Sequence, residues 1–242
     1  MTLIILIAIS IAGIIGLSIL YYRRIHLLMI SIFYGKYSIN YYNKFRSYYY
    51  RSPFPSIVKD DLYTQIHDFT ENQNILHITT SREIKFSDVP FSTSFKALLR
   101  KKGTPNYYTA LEVADSVIDI PAYKDSAYKY NLRVLYFFWN RTFFMGAFEF
   151  RELSQNDKQQ IIRELKEKYL ITEDLSGKDC CITDNNDTCI LVQDVGFALW
   201  LKYLNRGNPQ IALGLKELMK TMSLSETKLK DALEQTNAKL PL

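Results

Sequence analysis

The sequence predicts an α+β fold: a single N-terminal transmembrane helix, then a domain with a helix and a three-stranded antiparallel meander, and a helical C-terminus. Three observations lead to this prediction: an uncharged apolar N-terminal run, 18 Tyr and 14 Phe, and an order of elements that recurs after residue 154. Tyr and Phe favour strands and membrane interfaces. The expected divisions are a transmembrane helix over 1–22, a basic, Tyr-rich interfacial segment and linker over 23–56, the domain over 57–207 and C-terminal helices over 208–242.

The N-terminal run from Leu3 to Leu20 contains no charged residue and no proline. At a rise of about 1.5 Å per residue it nearly spans a hydrocarbon core of about 30 Å. No basic side chain precedes it, unlike a cleavable signal peptide. Ala8, Ala12 and Gly16 recur at every fourth position and mark a face where a second helix can pack, although Ala and Gly are also common in membrane helices generally.

Six basic residues lie within residues 23–51, and the first acidic residue is Asp60: the six are Arg23, Arg24, Lys36, Lys44, Arg46 and Arg51. By the positive-inside rule, the sequence predicts a cell-membrane protein with its N-terminus outside and its domain in the cytoplasm. The alternative is a domain on the opposite side whose basic residues bind anionic lipid head groups. The interleaved tyrosines fit a membrane-surface belt better than a stacking platform for single-stranded nucleic acid. The expected partners are therefore the membrane and a protein, not a nucleic acid.

A helix and three strands are predicted over residues 91–151. Ser92 or Thr93 caps the helix, and Gly103 ends it. Runs of β-branched and aromatic residues predict strands over 107–120, 130–139 and 142–150. The same order of a capped helix and three strands recurs over 154–205, so a tandem arrangement is a hypothesis about architecture.

The run from Phe91 to Pro105, leading into Tyr130–Trp139, resembles the small outer-membrane assembly lipoproteins of the SmpA/OmlA type and the β-lactamase inhibitor proteins that share their fold. The resemblance implies a short helix that ends at Gly103-Thr104-Pro105, followed by a three-stranded antiparallel sheet, present twice in the inhibitor proteins. It also implies a binding protein without catalytic machinery. The chain lacks the lipid-modified cysteine of the lipoproteins.

No catalytic, cofactor or metal site is predicted. The sequence has no Gly-x-Ser-x-Gly elbow and no His-Glu-x-x-His pair. Asp184 to Asp187 lack the central glycine of a calcium loop and predict a hairpin turn. His26 is interpreted as an interfacial side chain, Ser225 as a helix cap and Lys228 as a surface charge. The remaining candidates are interpreted as structural residues: His67, His77, Cys180, Cys181 and Cys189.

The predicted function is that of a non-catalytic, single-pass membrane adaptor or accessory subunit that binds a protein partner through its α+β domain. Phe137, Trp139 and Phe143 are the candidate contact residues, because large aromatics form binding hot spots. The other interpretation of these three is that the chain's own helices cover them. The alternative function is a membrane-surface enzyme or binding protein acting on lipid or glycan precursors, with acidic residues such as Asp115 and Asp119.

Overall fold

The structure, a computed structural model, describes residues 21–51, 53, 75–113, 116–125, 130–175, 179–209, 211–213 and 216. The helices named here are α1 (residues 21–34), α2 (Ile39–Tyr49), α3 (Phe95–Lys102) and α4 (Gln155–Tyr169). The strands are β1 (Leu76–Thr80), β2 (Tyr107–Val113), β3 (Ser116–Asp125), β4 (Asn131–Trp139), β5 (Thr142–Arg151), β6 (Cys180–Asp184), β7 (Thr188–Val195) and β8 (Ala198–Asn205).

The strands form one eight-stranded sheet in the order β1-β6-β7-β8-β5-β4-β3-β2. Strand β1 pairs in parallel with β6, and every other neighbouring pair is antiparallel. Strands β2 to β5 form one meander and β6 to β8 another. The pairing of β5 with β8 joins the two meanders into a continuous sheet.

The predicted unit of a helix and a three-stranded meander is wrong. Residues 107–120, predicted as one strand, belong to two, because the chain reverses where Val113 pairs with Ser116. Four strands therefore follow α3, and they share one sheet with β6 to β8 instead of forming a separate unit. Pro121, predicted to begin a turn, lies within β3 opposite Tyr108. The chain reverses at Glu112-Val113-Ala114-Asp115-Ser116, which contains no Gly, Pro or Asn, the residues that most strongly signal a tight hairpin turn.

The helix ends follow from local side-chain chemistry. The hydroxyls of Ser94 and Ser154, at the starts of α3 and α4, accept hydrogen bonds from the backbone N–H groups of Ala97 and Asp157. The N-cap of α3 is thus Ser94, one residue after the nearer predicted cap, Thr93. It ends as predicted at Gly103, whose φ of 78° suits a residue without Cβ.

Both faces of the sheet are buried. On one face, Val134 and Tyr136 of β4 share a core with Leu98 of α3 and with Ile161 of α4. The opposite face carries a second core that includes Phe137. An apolar layer on each side explains why the strand sequences are apolar almost throughout instead of alternating with polar residues.

Phe86, in the segment between β1 and α3, lies over the first of these cores and is 1% exposed. Its ring is surrounded by the rings of Tyr136, Phe143, Phe148 and Tyr203 at centroid distances of 5.2, 5.7, 4.7 and 5.2 Å. The ring also lies directly over the backbone of Gly146, where a Cβ would come within 2.5 Å of it. The glycine is therefore required by this close approach.

The predicted transmembrane helix over 3–20, with Ala8, Ala12 and Gly16, lies outside the described residues. Among the helices that the structure does describe, none is both long enough and apolar enough to cross a membrane. This finding contradicts the predicted single-pass topology and cell-membrane localisation. The predicted boundaries of the linker, the domain and the C-terminal helices stay predictions.

Candidate docking surface

Helices α1 and α2 form a hairpin that contacts the outermost strand β2. The hydroxyl of Tyr42 in α2 donates a hydrogen bond of 3.0 Å to the carbonyl oxygen of Ala110. The rings of Tyr42 and Tyr108 lie 5.0 Å apart in an edge-on arrangement, and those of Tyr37 and Tyr107 lie 5.1 Å apart. These contacts attach the helical hairpin to the edge of the sheet and cover that edge.

Two polar residues of α1 contact α2. The guanidinium of Arg23 donates to the carbonyl oxygen of Tyr48 at 3.3 Å, and Nδ1 of His26 lies 2.6 Å from the Tyr48 hydroxyl. Leu27 is the α1 residue that is fully buried, at 6% exposure. The side of α1 that contacts α2 is thus partly polar, and His26 has a structural hydrogen-bonding role.

The opposite side of α1 carries large apolar side chains in contact with solvent. Exposed fractions range from 45% to 72% for the five residues that we call the apolar stripe: Ile25, Leu28, Met29, Ile32 and Phe33. Their spacing of three and four residues places them on one helical face. Tyr21, Tyr22 and Tyr34 at the ends of the helix are also exposed. Most amphipathic surface helices turn their apolar face toward the core, whereas α1 turns its apolar face toward solvent.

The six basic residues singled out in the sequence lie on the α1–α2 hairpin or directly after it. Arg23, Arg24, Lys36 and Arg51 are exposed, and Lys44 and Arg46 are half-buried. The Arg24 guanidinium lies 5.8 Å from the ring centre of Tyr21, and the Lys44 ammonium lies 4.9 Å from that of Tyr48. Residues 21–51 contain no Asp or Glu. The α1–α2 hairpin is therefore a positively charged unit with an exposed apolar face.

The residues predicted to contact a partner do not form a surface. Phe143 is 0% exposed and lies in the same core as Leu98, and Phe137 is 1% exposed in the core on the other face. Trp139 is half-buried against that second core, and its indole nitrogen is buried without a hydrogen-bond partner among the described residues. The prediction failed because a strand with apolar residues on both sides has no exposed face when both sides of the sheet are covered.

Asp119 and Asp184, the acidic candidates that the structure describes, have hydrogen-bonding roles in the fold. Asp119 is buried and accepts a hydrogen bond of 2.5 Å from the hydroxyl of Tyr108. Burial and this hydrogen bond raise the pKa of Tyr108 well above its usual range. Asp184 accepts hydrogen bonds from the backbone N–H groups of Ile84, Asn186 and Thr188, which makes it a turn residue as predicted. Asp115 lies outside the described residues.

The three cysteines are buried strand residues, as predicted. A hydrogen bond from Cys189 is the main cause that lowers the pKa of the Cys181 thiol to about 6, and the same bond raises the pKa of Cys189. Both thiols are at most 1% exposed, so they are inaccessible to reagents in solution. No group of three or more His, Cys, Asp and Glu side chains suited to a metal ion occurs in the part of the chain that the structure describes.

No protein-family model, curated protein or solved structure matches the chain. The resemblance to the SmpA/OmlA-type lipoproteins and β-lactamase inhibitor proteins therefore stays a prediction. The sequence signal for the docking surface was present in residues 25–33, a run in which His26 and Ser31 interrupt large apolar residues. The sequence alone did not show which side of that segment faces α2.

Proposed function

We propose that the chain is a non-catalytic adaptor that binds a protein partner through the apolar stripe of α1. The observation that supports this proposal most directly is the exposure of Ile32 and Phe33, at 67% and 72%, on a helix whose Arg23 and His26 contact α2. A contiguous apolar patch on a folded chain is typical of an interaction site. Burial of apolar area contributes roughly 25 cal/mol per Å², so covering the stripe gives a partner a substantial driving force.

The charge around the stripe favours one kind of occupant. Six cations and no anions lie within residues 21–51, so two copies of α1 brought together through this face repel each other. A partner with an apolar helix or groove rimmed by Asp and Glu matches both the stripe and the positive charge of the hairpin. The partner class that we propose is therefore an acidic-rimmed protein surface.

Site-specific crosslinking tests this proposal. A photoreactive phenylalanine analogue at Phe33 in the full chain should form an adduct with one protein, which is identified by mass spectrometry and then purified. That protein should bind the purified chain, and a triple variant with Ile25→Ser, Leu28→Ser and Ile32→Ser should bind it at least about tenfold more weakly. Affinity should also fall as salt increases, because salt screens the exposed charges of the hairpin.

A matched control carries Val195→Ser and Leu213→Ser, which remove apolar side chains of similar exposure, 59% and 65%, from other parts of the chain. This control should bind the partner as tightly as the unaltered chain. Equal affinity of the triple variant would reject the stripe as the docking surface. Binding of vesicles with anionic phospholipid that the triple variant abolishes, with no protein adduct at Phe33, would instead assign the stripe to a lipid surface and overturn the proposal.

A further inference from the structure

A groove of about 610 Å³ runs along α4, between this helix and the segment that follows it. Ile162, Leu170 and Ile171 contribute its apolar lining, and Leu170 is 60% exposed. The charged lining residues have both signs: Lys158, Arg163, Lys166, Glu167, Asp174 and Asp194. The groove lining therefore combines apolar side chains with charges of both signs.

The hairpin tip near this groove carries an exposed aromatic side chain. Phe197 lies at the tip of the β7–β8 hairpin, next to Gly196, and is 84% exposed. The hairpin tip is attached to the start of α4 by three contacts. The buried ammonium of Lys158 donates to the Asp194 carboxylate and to the Gly196 carbonyl oxygen, and the Leu153 N–H donates to the Phe197 carbonyl oxygen at 3.0 Å. The backbone of Phe197 is thus fixed while its ring extends into solvent.

Phe197 lies close to the groove, because Lys158 and Asp194 line the groove and Lys158 donates to the carbonyl oxygen of Gly196, the neighbour of Phe197. A twofold rotation about an axis through this part of the surface brings the Phe197 ring of each copy over the groove of the other. A rigid aromatic that enters a pocket is the usual form of a binding hot spot, since little side-chain entropy is lost.

The mixed charge of the lining favours one kind of occupant. Arg163 and Lys166 of one copy can face Glu167 and Asp174 of the other, so the surface is complementary to itself. The all-basic α1 lacks this property. We propose that the α4 groove binds a second copy of this chain, and that the Phe197 ring of each copy occupies the groove of the other in a symmetric dimer. This dimer does not depend on the partner proposed for α1.

Sedimentation equilibrium of the purified full chain tests the dimer. The unaltered chain should fit a monomer–dimer equilibrium, and Phe197→Ser should raise the dimer dissociation constant at least about tenfold. Because Phe197 is exposed, its replacement should leave the circular dichroism spectrum and the unfolding midpoint unchanged. Leu28→Ser in the apolar stripe of α1 is the control and should leave the dimer constant unaltered, which separates this surface from the adaptor surface.

Charge exchange gives a second test that does not depend on Phe197. Arg163→Glu makes positions 163 and 167 acidic on one chain, and Glu167→Arg makes both basic on another. Each variant alone should dimerise less tightly than the unaltered chain because like charges face each other, and a 1:1 mixture should form a heterodimer at least as tight as the original. A chain that stays monomeric, a Phe197→Ser variant with an unchanged constant, or a mixture no tighter than its components would overturn the proposal.

Discussion

Replacement of Gly146 by alanine should destabilise the fold through one identifiable contact. The added methyl carbon would lie 2.5 to 2.6 Å from three atoms of the Phe86 ring, which is about 1 Å closer than ordinary van der Waals contact. The ring cannot retreat easily, because four other aromatic rings surround it. Overpacking of this kind costs about 1 to 3 kcal/mol, and we expect a loss toward the upper end in urea unfolding measured by circular dichroism.

A double-mutant cycle isolates the contact. Phe86→Ala alone should cost about 3 to 5 kcal/mol by creating a cavity. In that background Gly146→Ala should be nearly neutral, because its methyl group enters the vacated space. The control pairs Gly146→Ala with Tyr108→Phe, three strands away, and their effects should add within about 0.5 kcal/mol. An unchanged stability of Gly146→Ala, or a loss that persists undiminished without the Phe86 ring, would refute the reasoning.

Three further predictions follow from burial and hydrogen bonding. Phe137→Ala and Phe143→Ala should each lower the free energy of unfolding by about 3 to 5 kcal/mol in urea titrations. An unchanged unfolding midpoint would mean that these side chains are exposed. Burial raises the pKa of Tyr123 to about 12. The stability that this neutral phenol contributes should therefore be complete below pH 10 and fall as the pH rises toward 12. If the unfolding free energy of Tyr123→Phe falls equally steeply over this pH range, the prediction is contradicted. Lys158→Met removes a buried ammonium that contacts Asp194 and should lower the free energy of unfolding by about 1.5 to 3 kcal/mol, measured by thermal unfolding. Lys166 is only half-buried, so Lys166→Met should be nearly neutral and serves as the comparison.

The parts of the fold that depend on neighbouring residues were predictable from the sequence. Ser154 caps α4, Gly103 ends α3, and Asp184 begins a hairpin turn, because each acts through hydrogen bonds or dihedral angles within a few residues. The number of strands was not predictable in this way. The hairpin between β2 and β3 falls at Val113-Ala114-Asp115-Ser116, which lacks the Gly or Pro that usually marks a reversal, so the two strands were not separated in the prediction.

The candidate site was missed for a related reason. Phe137 and Phe143 were candidates because large aromatics mark hot spots, but their burial depends on what covers each face of the sheet, which is a property of the whole fold. The exposure of Ile32 and Phe33 depends in the same way on which side of α1 contacts Tyr48. Composition identified the aromatic and basic character of these segments, and only tertiary contacts assigned the exposed side.

The parallel pairing of β1 with β6 determines when the sheet can be completed during synthesis. Ile84, just after β1, donates to the carboxylate of Asp184 at the end of β6, and a hundred residues separate the two. At about 5 to 20 residues per second, the ribosome takes roughly 5 to 20 s to translate that interval. Through that time the nascent Leu76–Thr80 segment has no sheet neighbour, so the outermost strand at this edge is the earliest of the eight to be made and among the last to pair.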